Sequence, residues 1–366
     1  MPCILLPISK SIANRLLILQ AIHGDGLLTV SADMPDDVRI MSEAIRLLGE
    51  RREARIDLGN CGTAMRFLTA YCAQLEGQTT VLDGIERMHH RPIGQLVDAL
   101  RSIGADIDYL GKEGFPPLRI TGKSLDKSQA ITLDNPQSTQ FVSALLLIGA
   151  KVQTNSTSPY ITLTRMLIEQ YALASSPNRL SPLVLERDWS SAAFWYEYVA
   201  LHGGEIKLPG LHKESLQGDK VVADIFAHLG VHTTYTPKGV RISGNGYRKS
   251  VTDSKASNSP HGGRPIAAQA ASGCKILEQD FATCPDLYPA VALTCERLGI
   301  TLHATGVESL PLQESDRLRA VREHRTDADH RMAMALLIAG YEVDDTACIS
   351  KSYPQFIEQF RLLHQK

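Results

Sequence analysis

The chain has 366 residues, of which 43% are hydrophobic and 21% charged, and its formal net charge at pH 7 is −2. This length predicts two domains with ordinary hydrophobic cores. The near balance of charge excludes a general electrostatic attraction to nucleic acid or to a membrane surface, and no apolar run is long enough to cross a membrane.

The cysteines and the N-terminal segment indicate the cellular compartment of the protein. Seven cysteines are scattered along the chain without a C-x-x-C pair, which is typical of reduced thiols rather than of disulfides or a zinc site. The segment MPCILLPISK lacks the basic region and the long apolar core of a secretory signal. We therefore expect a cytoplasmic protein without a metal site.

The first predicted helix begins in the segment Ser9-Lys10-Ser11 and carries apolar residues at helical spacing through 12–22. Ser11 and Arg15 are four residues apart and share one helix face. The free N–H groups of a helix start, together with Lys10 and Arg15, are suited to an anion. For this stretch alone, a capped helix with two solvated cations is the alternative.

Four later segments each predict an amphipathic helix that ends at a glycine and is followed by a strand. The glycines are Gly49, Gly104, Gly230 and Gly299, and a glycine after the last turn is a common left-handed stop. Segments 166–174 and 317–325 resemble these helices without the glycine. The recurrence predicts several copies of one βα unit, divided between two domains.

Short alternating or β-branched segments between the helices predict strands. They cover 27–32, 79–84, 117–122, 130–135, 205–210, 239–244 and 274–280. The segment 207–210 is a predicted crossover between the domains, and the polar segment 243–265 is a predicted surface loop.

Positive side chains recur where the predicted helices begin. If these helix starts converge, they form a positive site for a ligand with phosphate and carboxylate groups, although each position alone is consistent with an ordinary helix cap. There is no Walker motif, and no G-x-G-x-x-G follows a strand, so nucleotide binding is not predicted. The residues concerned are Lys10, Arg15, Arg66, Arg91, Arg317, Arg331 and Lys351.

Six motifs, in chain order, resemble those of the 5-enolpyruvylshikimate-3-phosphate (EPSP) synthase family of enolpyruvyl transferases. The resemblance runs from residue 6 to about residue 360. The motifs are Ser-Lys-Ser-x-x-Asn-Arg at 9–15, Gly-Asn-x-Gly-Thr-Ala-Met-Arg at 59–66, Arg-Pro-Ile-x-x-Leu-Val-Asp-Ala-Leu at 91–100, Ser-x-Gln-Phe at 138–141, Glu-Ser-Asp-Arg-Leu at 314–318 and Asp-His-Arg-Met-Ala-Met at 329–334.

The resemblance implies an α/β fold of the α+β type, the two-domain enolpyruvyl transferase fold. Each domain would be built from repeated βαβαββ units (an inside-out α/β barrel), with the ligand cleft between the domains. The implied boundaries are 9–211 for one domain, and 1–8 together with 212–366 for the other.

The resemblance also implies a reaction. Members transfer the enolpyruvyl group of phosphoenolpyruvate to the 5-hydroxyl of shikimate 3-phosphate and release phosphate, in aromatic amino acid biosynthesis. No metal or organic cofactor is implied. The expected partners are the two substrates, with no nucleic acid and no membrane, and the expected state is a cytoplasmic monomer.

The resemblance implies site residues position by position, most of them inside the six motifs and five of them outside: Thr157, Tyr160, Asp286, Gln313 and Lys351. The implied catalytic residues are Lys10, Asp286 and Glu314. Those for shikimate 3-phosphate are Lys10, Ser11, Arg15, Ser138, Thr139, Gln140, Thr157, Asp286 and Gln313, with Tyr160 at a substrate-contacting position. Those for phosphoenolpyruvate are Lys10, Gly62, Arg91, Gln140, Arg317, Arg331 and Lys351.

Departures from the family pattern bear on activity. Gln313 stands where the family has a lysine, which removes one positive charge from the implied site. Only eleven residues separate Arg317 from Asp329, so the sixth unit is predicted to be truncated, and the third is short between Tyr171 and Glu186. Two alternatives stay open: a relative that binds anionic ligands without turnover, and the sister transferase that acts on UDP-N-acetylglucosamine.

Overall fold

The structure is a computed structural model that describes residues 1–174, 185–246 and 276–364. The chain divides into two compact units. Domain A comprises Ile8–Leu185, and domain B comprises Met1–Pro7 together with Glu186–Lys366. Both are mixtures of helices and strands, as predicted. Most of the predicted loop 243–265, and most of the short segment between Tyr171 and Glu186, lie outside the described residues.

Domain A contains six described helices and six described strands. The helices are α1 (Lys10–His23), α2 (Asp36–Glu50), α3 (Gly62–Ala73), α4 (Gly94–Ser102), α5 (Thr139–Leu147) and α6 (Pro159–Ala174). The strands are β1 (Glu53–Asp57), β2 (Thr79–Asp83), β3 (Asp106–Tyr109), β4 (Leu118–Thr121), β5 (Ala130–Thr132) and β6 (Lys151–Gln153).

One complete βαβαββ unit spans β1 to β4 in domain A. The strand order is β1-β2-β4-β3, with β1 parallel to β2 and with β4 antiparallel to both β2 and β3. Helices α3 and α4 connect the strands, and their apolar faces belong to the core of the domain. The next unit begins in the same way, because β5 and β6 are parallel and are joined by α5.

The predicted strand at 27–32 is wrong, since these residues form no strand in the structure. The N–H of Leu28 donates instead to the side-chain oxygen of Gln20 on α1, at 2.9 Å. A side chain therefore satisfies the backbone group that a ladder would have used.

Domain B contains six described helices and five described strands. The helices are α7 (Trp189–His202), α8 (Val222–Ala227), α9 (Tyr288–Leu298), α10 (Arg317–Glu323), α11 (His330–Ile338) and α12 (Phe356–His364). The strands are β7 (Gly204–Pro209), β8 (Val231–Thr236), β9 (Gly239–Gly244), β10 (Ile276–Asp280) and β11 (Thr301–Thr305).

The first unit of domain B repeats the strand order of domain A. Strands β7, β9 and β8 form an antiparallel sheet in that order. Cys3, from the start of the chain, adds a parallel bridge to Lys207 on the free edge of β7. The N-terminal segment therefore takes the place of the first strand of a βαβαββ unit.

The strand β7 of this sheet precedes the predicted domain boundary at 211, so the observed boundary lies earlier in the chain than predicted. Helix α7 and strand β7 belong to domain B because Trp195, Phe194 and Ile206 are buried in the core of that domain. The chain enters domain B at Glu186. The predicted crossover at 207–210 is instead the end of β7 and the turn that follows it.

The last unit of domain B is truncated, as predicted. Strands β10 and β11 are parallel and flank α9. After α10, the described chain reaches α11 without forming another strand. His324 closes α10 in the left-handed conformation, with φ of 51°.

Three of the four predicted glycine stops follow a helix in the left-handed region, with φ of 101° at Gly104, 85° at Gly230 and 68° at Gly299. Gly49 lies inside α2, and Arg51 ends that helix in an extended conformation. No helix of the described chain combines the length and apolar character needed to span a bilayer.

Candidate functional site

In domain A, an ion pair joins the starts of α1 and α2. Lys10 Nζ donates to Asp37 Oδ2 at 2.9 Å, and both side chains are largely buried. Lys10 is the first residue of α1 and Asp37 lies in the first turn of α2. Asp37 neutralises part of the Lys10 charge and fixes the position of its amine.

The start of α3 lies beside this pair and carries two arginines. The thiol of Cys61, which precedes α3, contacts the carbonyl oxygen of Asp37 at 3.8 Å. A Cβ atom on Gly62 would lie 2.4 Å from Arg66 Nη1 and 2.5 Å from Arg91 Nη1. Only glycine therefore leaves room for two guanidinium groups against this helix start, which is a strong arrangement for an anion.

The start of α5 is tied to the start of α3. Gln140 Nε2 donates to Thr63 Oγ1 at 2.9 Å. Ser138 caps α5 by accepting from the N–H of Gln140, and Thr139 is the first helical residue. Four helix starts in domain A, those of α1, α2, α3 and α5, are thus linked by side-chain contacts.

Arg15 is buried at the centre of the polar contacts among α1, α5 and α6. Its Nε donates to Thr164 Oγ1 at 2.7 Å, and Nη1 donates to the carbonyl of Ser11 at 2.8 Å. Nη2 reaches Ser143 Oγ at 3.1 Å and the carbonyl of Tyr160 at 3.4 Å. Burial lowers the pKa of the Arg15 guanidinium to about 10, against an opposing effect of Tyr160. Arg15 therefore orients Ser11 and Tyr160 as well as supplying charge.

Thr157 differs from the other predicted residues of domain A. It is exposed and lies two residues before the start of α6. Tyr160 is in the first turn of α6, where its N–H donates to Ser158 Oγ. Of these two residues, only Tyr160 has a hydrogen bond to another predicted site residue, Arg15.

In domain B, the fully buried Arg317 binds three carboxylates. Nε donates to Asp329 at 2.9 Å, Nη1 to Asp286 at 2.8 Å and Nη2 to Glu314 at 3.1 Å. Burial alone would lower the pKa of Arg317, but these carboxylates raise it above its ordinary value. Arg317 stays charged and holds the loops before α9, α10 and α11 together.

Arg331 shares Asp286 with Arg317. Its Nη2 donates to Asp286 Oδ2 at 2.7 Å. Burial has the largest single effect and lowers the pKa of Arg331, but the negative charges of Asp286, Asp188 and Asp219 together outweigh it, so the pKa is raised. Asp329 caps α11 by accepting from the N–H of Arg331 at 2.9 Å, which fixes Arg331 in the first turn of that helix.

Glu314 links the Arg317 cluster to Lys351. Lys351 Nζ lies 4.0 Å from Glu314 Oε1, and both side chains are only slightly exposed. Gln313 is the neighbouring residue and follows the short 3-10 helix Leu310–Leu312. Gln313, which departs from the family pattern, is therefore the neighbour of Glu314, whose carboxylate is close to Lys351.

The set of site residues inferred from the sequence did not include the residues that hold these groups, although Ser315 and Asp329 lie inside two of the motifs. Asp37 binds Lys10, Asp329 binds Arg317, and Ser315 donates to Asp329 at 3.1 Å. The acidic pair at the start of α2 and the Asp-His-Arg run were available signals, since acidic residues are frequent in first helical turns. The sequence does not show which cation each carboxylate would contact, because these pairings depend on tertiary packing.

The two domains offer different chemistry. Domain A presents linked helix starts with lysine and arginine, which suits anion binding. Domain B combines two arginines and a lysine with three carboxylates, and carboxylates can also carry protons. Among the described residues, no three His, Cys, Asp or Glu side chains are grouped so that they could hold a metal ion.

Comparisons with known proteins agree with the motifs. A family model described as EPSP synthase (3-phosphoshikimate 1-carboxyvinyltransferase) matches residues 50–360. The 3-phosphoshikimate 1-carboxyvinyltransferase of Bacteroides fragilis (strain YCH46) is 35% identical, with 97% of this chain and 93% of the relative covered. The protein of that name from Paraburkholderia phytofirmans is 31% identical, with 98% and 96% covered.

A solved structure shows the same fold. EPSP synthase from Acinetobacter baumannii matches with a TM-score of 0.62 at 19% identity, and 98% of this chain and 95% of that chain are covered. The alignment with the Bacteroides fragilis relative spans 415 positions, more than the 366 residues here. That relative therefore has segments that this chain lacks, in agreement with a shortened repeat.

Proposed function

Because the chain belongs to the EPSP synthase family, we propose that it transfers the enolpyruvyl group of phosphoenolpyruvate to the 5-hydroxyl of shikimate 3-phosphate and releases phosphate. The observation that supports this most strongly is the pair of arginines at the start of α3, whose guanidinium groups lie 2.4 and 2.5 Å from where a Cβ on residue 62 would be. The protein works without a cofactor, as a monomer in the cytoplasm.

Phosphoenolpyruvate brings one phosphate and one carboxylate, which match the cations of the two domains. In domain A, we assign Lys10, Gly62, Arg91 and Gln140 to this substrate. Gln140 is tied to the same helix start through Thr63. In domain B, Arg317, Arg331 and Lys351 supply the positive charge. The guanidinium group of arginine binds phosphate or carboxylate through two parallel hydrogen bonds.

Shikimate 3-phosphate is assigned to the helix starts around Arg15 and to part of domain B. Ser138 and Thr139 place hydroxyl groups at the positive end of α5. Arg15 fixes Ser11 and adds charge behind it. The remaining residues assigned to this substrate are Lys10, Gln140, Thr157, Tyr160, Asp286 and Gln313.

The reaction needs proton transfer at two points. The 5-hydroxyl oxygen attacks C2 of phosphoenolpyruvate and loses its proton, while C3 gains a proton. The C2–O bond to phosphate then breaks, phosphate leaves, and C3 gives up a proton to restore the double bond. Asp286, Glu314 and Lys10 are the proton carriers in this proposal, and the cations stabilise the negative charge that develops.

The substitution Gly62→Ala tests the arginine pair. We expect the KM for phosphoenolpyruvate to rise about tenfold or more, because the new methyl group displaces the guanidinium groups of Arg66 and Arg91. Both are ends of flexible side chains, so the thermal unfolding temperature should change little. Gly49→Ala is the matched control, since a Cβ there meets no atom within 4 Å. Equal KM values in the two variants would contradict the assignment.

Phosphate release from the purified protein, with both substrates present, tests the function itself. We expect measurable release by the native chain and about a tenfold increase in kcat/KM for Gln313→Lys, because a charged donor stabilises the negative charge of the transition state better than an amide does. Leu312→Lys, which adds the same charge at the neighbouring exposed residue, should have little effect.

Gln313 also favours a second candidate function, a protein that binds both anionic ligands without turnover. Calorimetry separates the two candidates. Binding of shikimate 3-phosphate and phosphoenolpyruvate without phosphate release, in both the native chain and Gln313→Lys, would establish the binding protein and contradict the enzyme. Absence of shikimate 3-phosphate binding would overturn the site assignment.

A further inference from the structure

His89 lies on the short 3-10 helix Glu86–His90, which follows β2 and ends just before Arg91. It is outside the six family motifs, and its side chain is only 31% exposed. Its Nε2 atom lies 2.9 Å from Oδ1 of Asp83, the last residue of β2. This side-chain contact therefore joins the end of the strand to the end of the 3-10 helix.

Asp83 accepts hydrogen bonds from three groups, which makes His89 the donor of their shared bond. Its Oδ1 also accepts from the N–H of Gly84 at 2.8 Å, and its Oδ2 accepts from Arg55 on β1 at 2.6 Å. Partial burial acts to raise the pKa of Asp83, but the hydrogen bonds from His89 and Gly84 and the charge of Arg55 together lower it. Asp83 is therefore an ionised acceptor, and the imidazole donates through Nε2 while its Nδ1 faces Glu86 at 3.8 Å.

The loop that His89 closes packs directly against the turn that leads into α3. The N–H of Ile85 donates to the carbonyl of Gly59 at 3.1 Å. A Cβ atom on Gly84 would lie 2.5 Å from the carbonyl oxygen of Gly59, so the two backbones approach too closely for a side chain at residue 84. The position of this loop is therefore coupled to that of the helix start at Gly62.

The 3-10 helix extends this fixed position to Arg91. The N–H of Met88 donates to the carbonyl of Ile85 at 2.8 Å, and the N–H of Arg91 donates to the carbonyl of Met88 at 3.1 Å. Met88 is buried in the core of domain A. Arg91 Nη1 lies 2.5 Å from where a Cβ on Gly62 would be. A shift of the 3-10 helix would therefore move this guanidinium group relative to the start of α3.

We propose that His89 is a positioning residue for the anion site of domain A. Its hydrogen bond to Asp83 fixes the 3-10 helix and so holds the Arg91 guanidinium group against Gly62. The proposal rests on the proposed function, because it identifies the anion as phosphoenolpyruvate. A side chain that is ordered before the ligand arrives loses less conformational freedom on binding, so this contact increases the affinity of the site.

Calorimetry of phosphoenolpyruvate binding to the full chain tests this role. In His89→Leu we expect about a fivefold weaker affinity, because Arg91 must then be ordered by the ligand. His89→Gln should bind within about twofold of the native chain, because its Nε2 is as many bonds from Cβ as the imidazole Nε2 and can donate to Asp83. An affinity of His89→Gln as weak as that of His89→Leu would overturn the role of the hydrogen bond.

His90→Leu is the matched control at the adjacent histidine. The His90 side chain is 66% exposed, and its ion pair with Glu86 stays within the 3-10 helix. We expect this variant to bind phosphoenolpyruvate as the native chain does, because its substitution leaves the contact between His89 and Asp83 in place. Equal affinities of His89→Leu and His90→Leu would overturn the proposal.

Two further measurements separate positioning from a general loss of structure. Backbone hydrogen exchange in the segment 84–91 should be faster in His89→Leu and native-like in His89→Gln, because the amides of Met88 and Arg91 depend on the fixed 3-10 helix. The affinity for shikimate 3-phosphate, assigned to the helix starts around Arg15, should stay within about twofold in every variant. Unchanged exchange in His89→Leu, or equal weakening of both affinities, would overturn the positioning role.

The outcomes for the two proposals are distinguishable. A native chain that binds phosphoenolpyruvate but releases no phosphate contradicts the enzyme, while the His89 variants still decide the positioning role. Normal phosphate release, together with native affinity in His89→Leu, overturns the role of His89 and leaves the proposed function intact. A native chain that binds no phosphoenolpyruvate overturns both.

Discussion

Replacing Arg317 with methionine is expected to lower the free energy of unfolding of domain B by about 3–5 kcal/mol, because it leaves buried carboxylates without their counter-charge. Arg317 is fully buried and binds Asp286, Glu314 and Asp329. The same substitution should reduce phosphate release by at least about 100-fold, since it also removes a positive charge assigned to phosphoenolpyruvate, whose phosphate is the leaving group.

Urea unfolding followed by tryptophan fluorescence measures this effect in the correct domain. Both tryptophans of the chain, Trp189 and Trp195, are in domain B and are buried. Arg319→Met is the matched control on the same helix. Its side chain is 51% exposed and its ion pairs are at the surface, so it should change the unfolding free energy by less than about 1 kcal/mol.

Arg317→Lys separates charge from geometry. A lysine keeps the positive charge but cannot donate to three carboxylates in the fixed directions of a guanidinium group. We expect a loss of stability smaller than that of Arg317→Met, with a loss of activity that remains large. Equal stability of the methionine variant and the native chain would show that Arg317 does not hold the three loops together.

The helix starts could be predicted from the sequence because their signals are local. Gly62, Ser138 and Asp329 stand immediately before or at the first residue of a helix, and capping chemistry acts within one turn. The arginines at these starts suggested an anion site on residue type alone. The structure then shows that the starts are in contact within each domain.

Contacts between distant segments could not be read from the sequence. The pairing of Lys10 with Asp37, or of Ser190 with Asp219, depends on how helices pack and leaves no local signature. The domain boundary was missed for a related reason. The sequence predicted a strand at 205–210 but also a crossover between the domains at 207–210, and only the pairing of β7 with β9 and Cys3 places this strand in domain B.

At Gly49, the rule that a glycine near the end of a predicted helix stops that helix gave a wrong prediction. A glycine near a helix end is a common stop, but the chain continues as helix through Glu50 and ends at Arg51. Glycine is permitted in the helical conformation as well as in the left-handed one. The position of the stop is therefore set by the residues that follow, which pair as β1.

Replacing Glu197 with methionine is expected to stabilise domain B by about 2–4 kcal/mol at pH 7, because burying an unpaired carboxyl group is unfavourable. Glu197 is in α7, fully buried in the core of the domain. Neither carboxylate oxygen has a hydrogen-bond partner in the described residues. The side chain of methionine has a similar length, and its thioether does not need a hydrogen-bond partner when it is buried.

The pH dependence of this effect identifies its cause. Burial raises the pKa of Glu197 well above its ordinary value of 4.5, so the folded state keeps a proton that the unfolded state releases. The stability contributed by this group is present below about pH 4.5 and is lost as the pH rises, by about 1.4 kcal/mol per pH unit until the folded pKa is reached. Glu197→Met and Glu197→Gln should both remove this decline.

The glutamine variant and an exposed control decide between titration and packing. Glu197→Gln removes the ionisable group but keeps a buried polar one, so it should lose the pH dependence and gain less stability than Glu197→Met. Glu214→Met, at an exposed residue of the same domain, should change stability by less than about 0.5 kcal/mol. A Glu197→Met variant that is less stable than the native chain at pH 7 would mean that the carboxyl group contributes favourably to the fold.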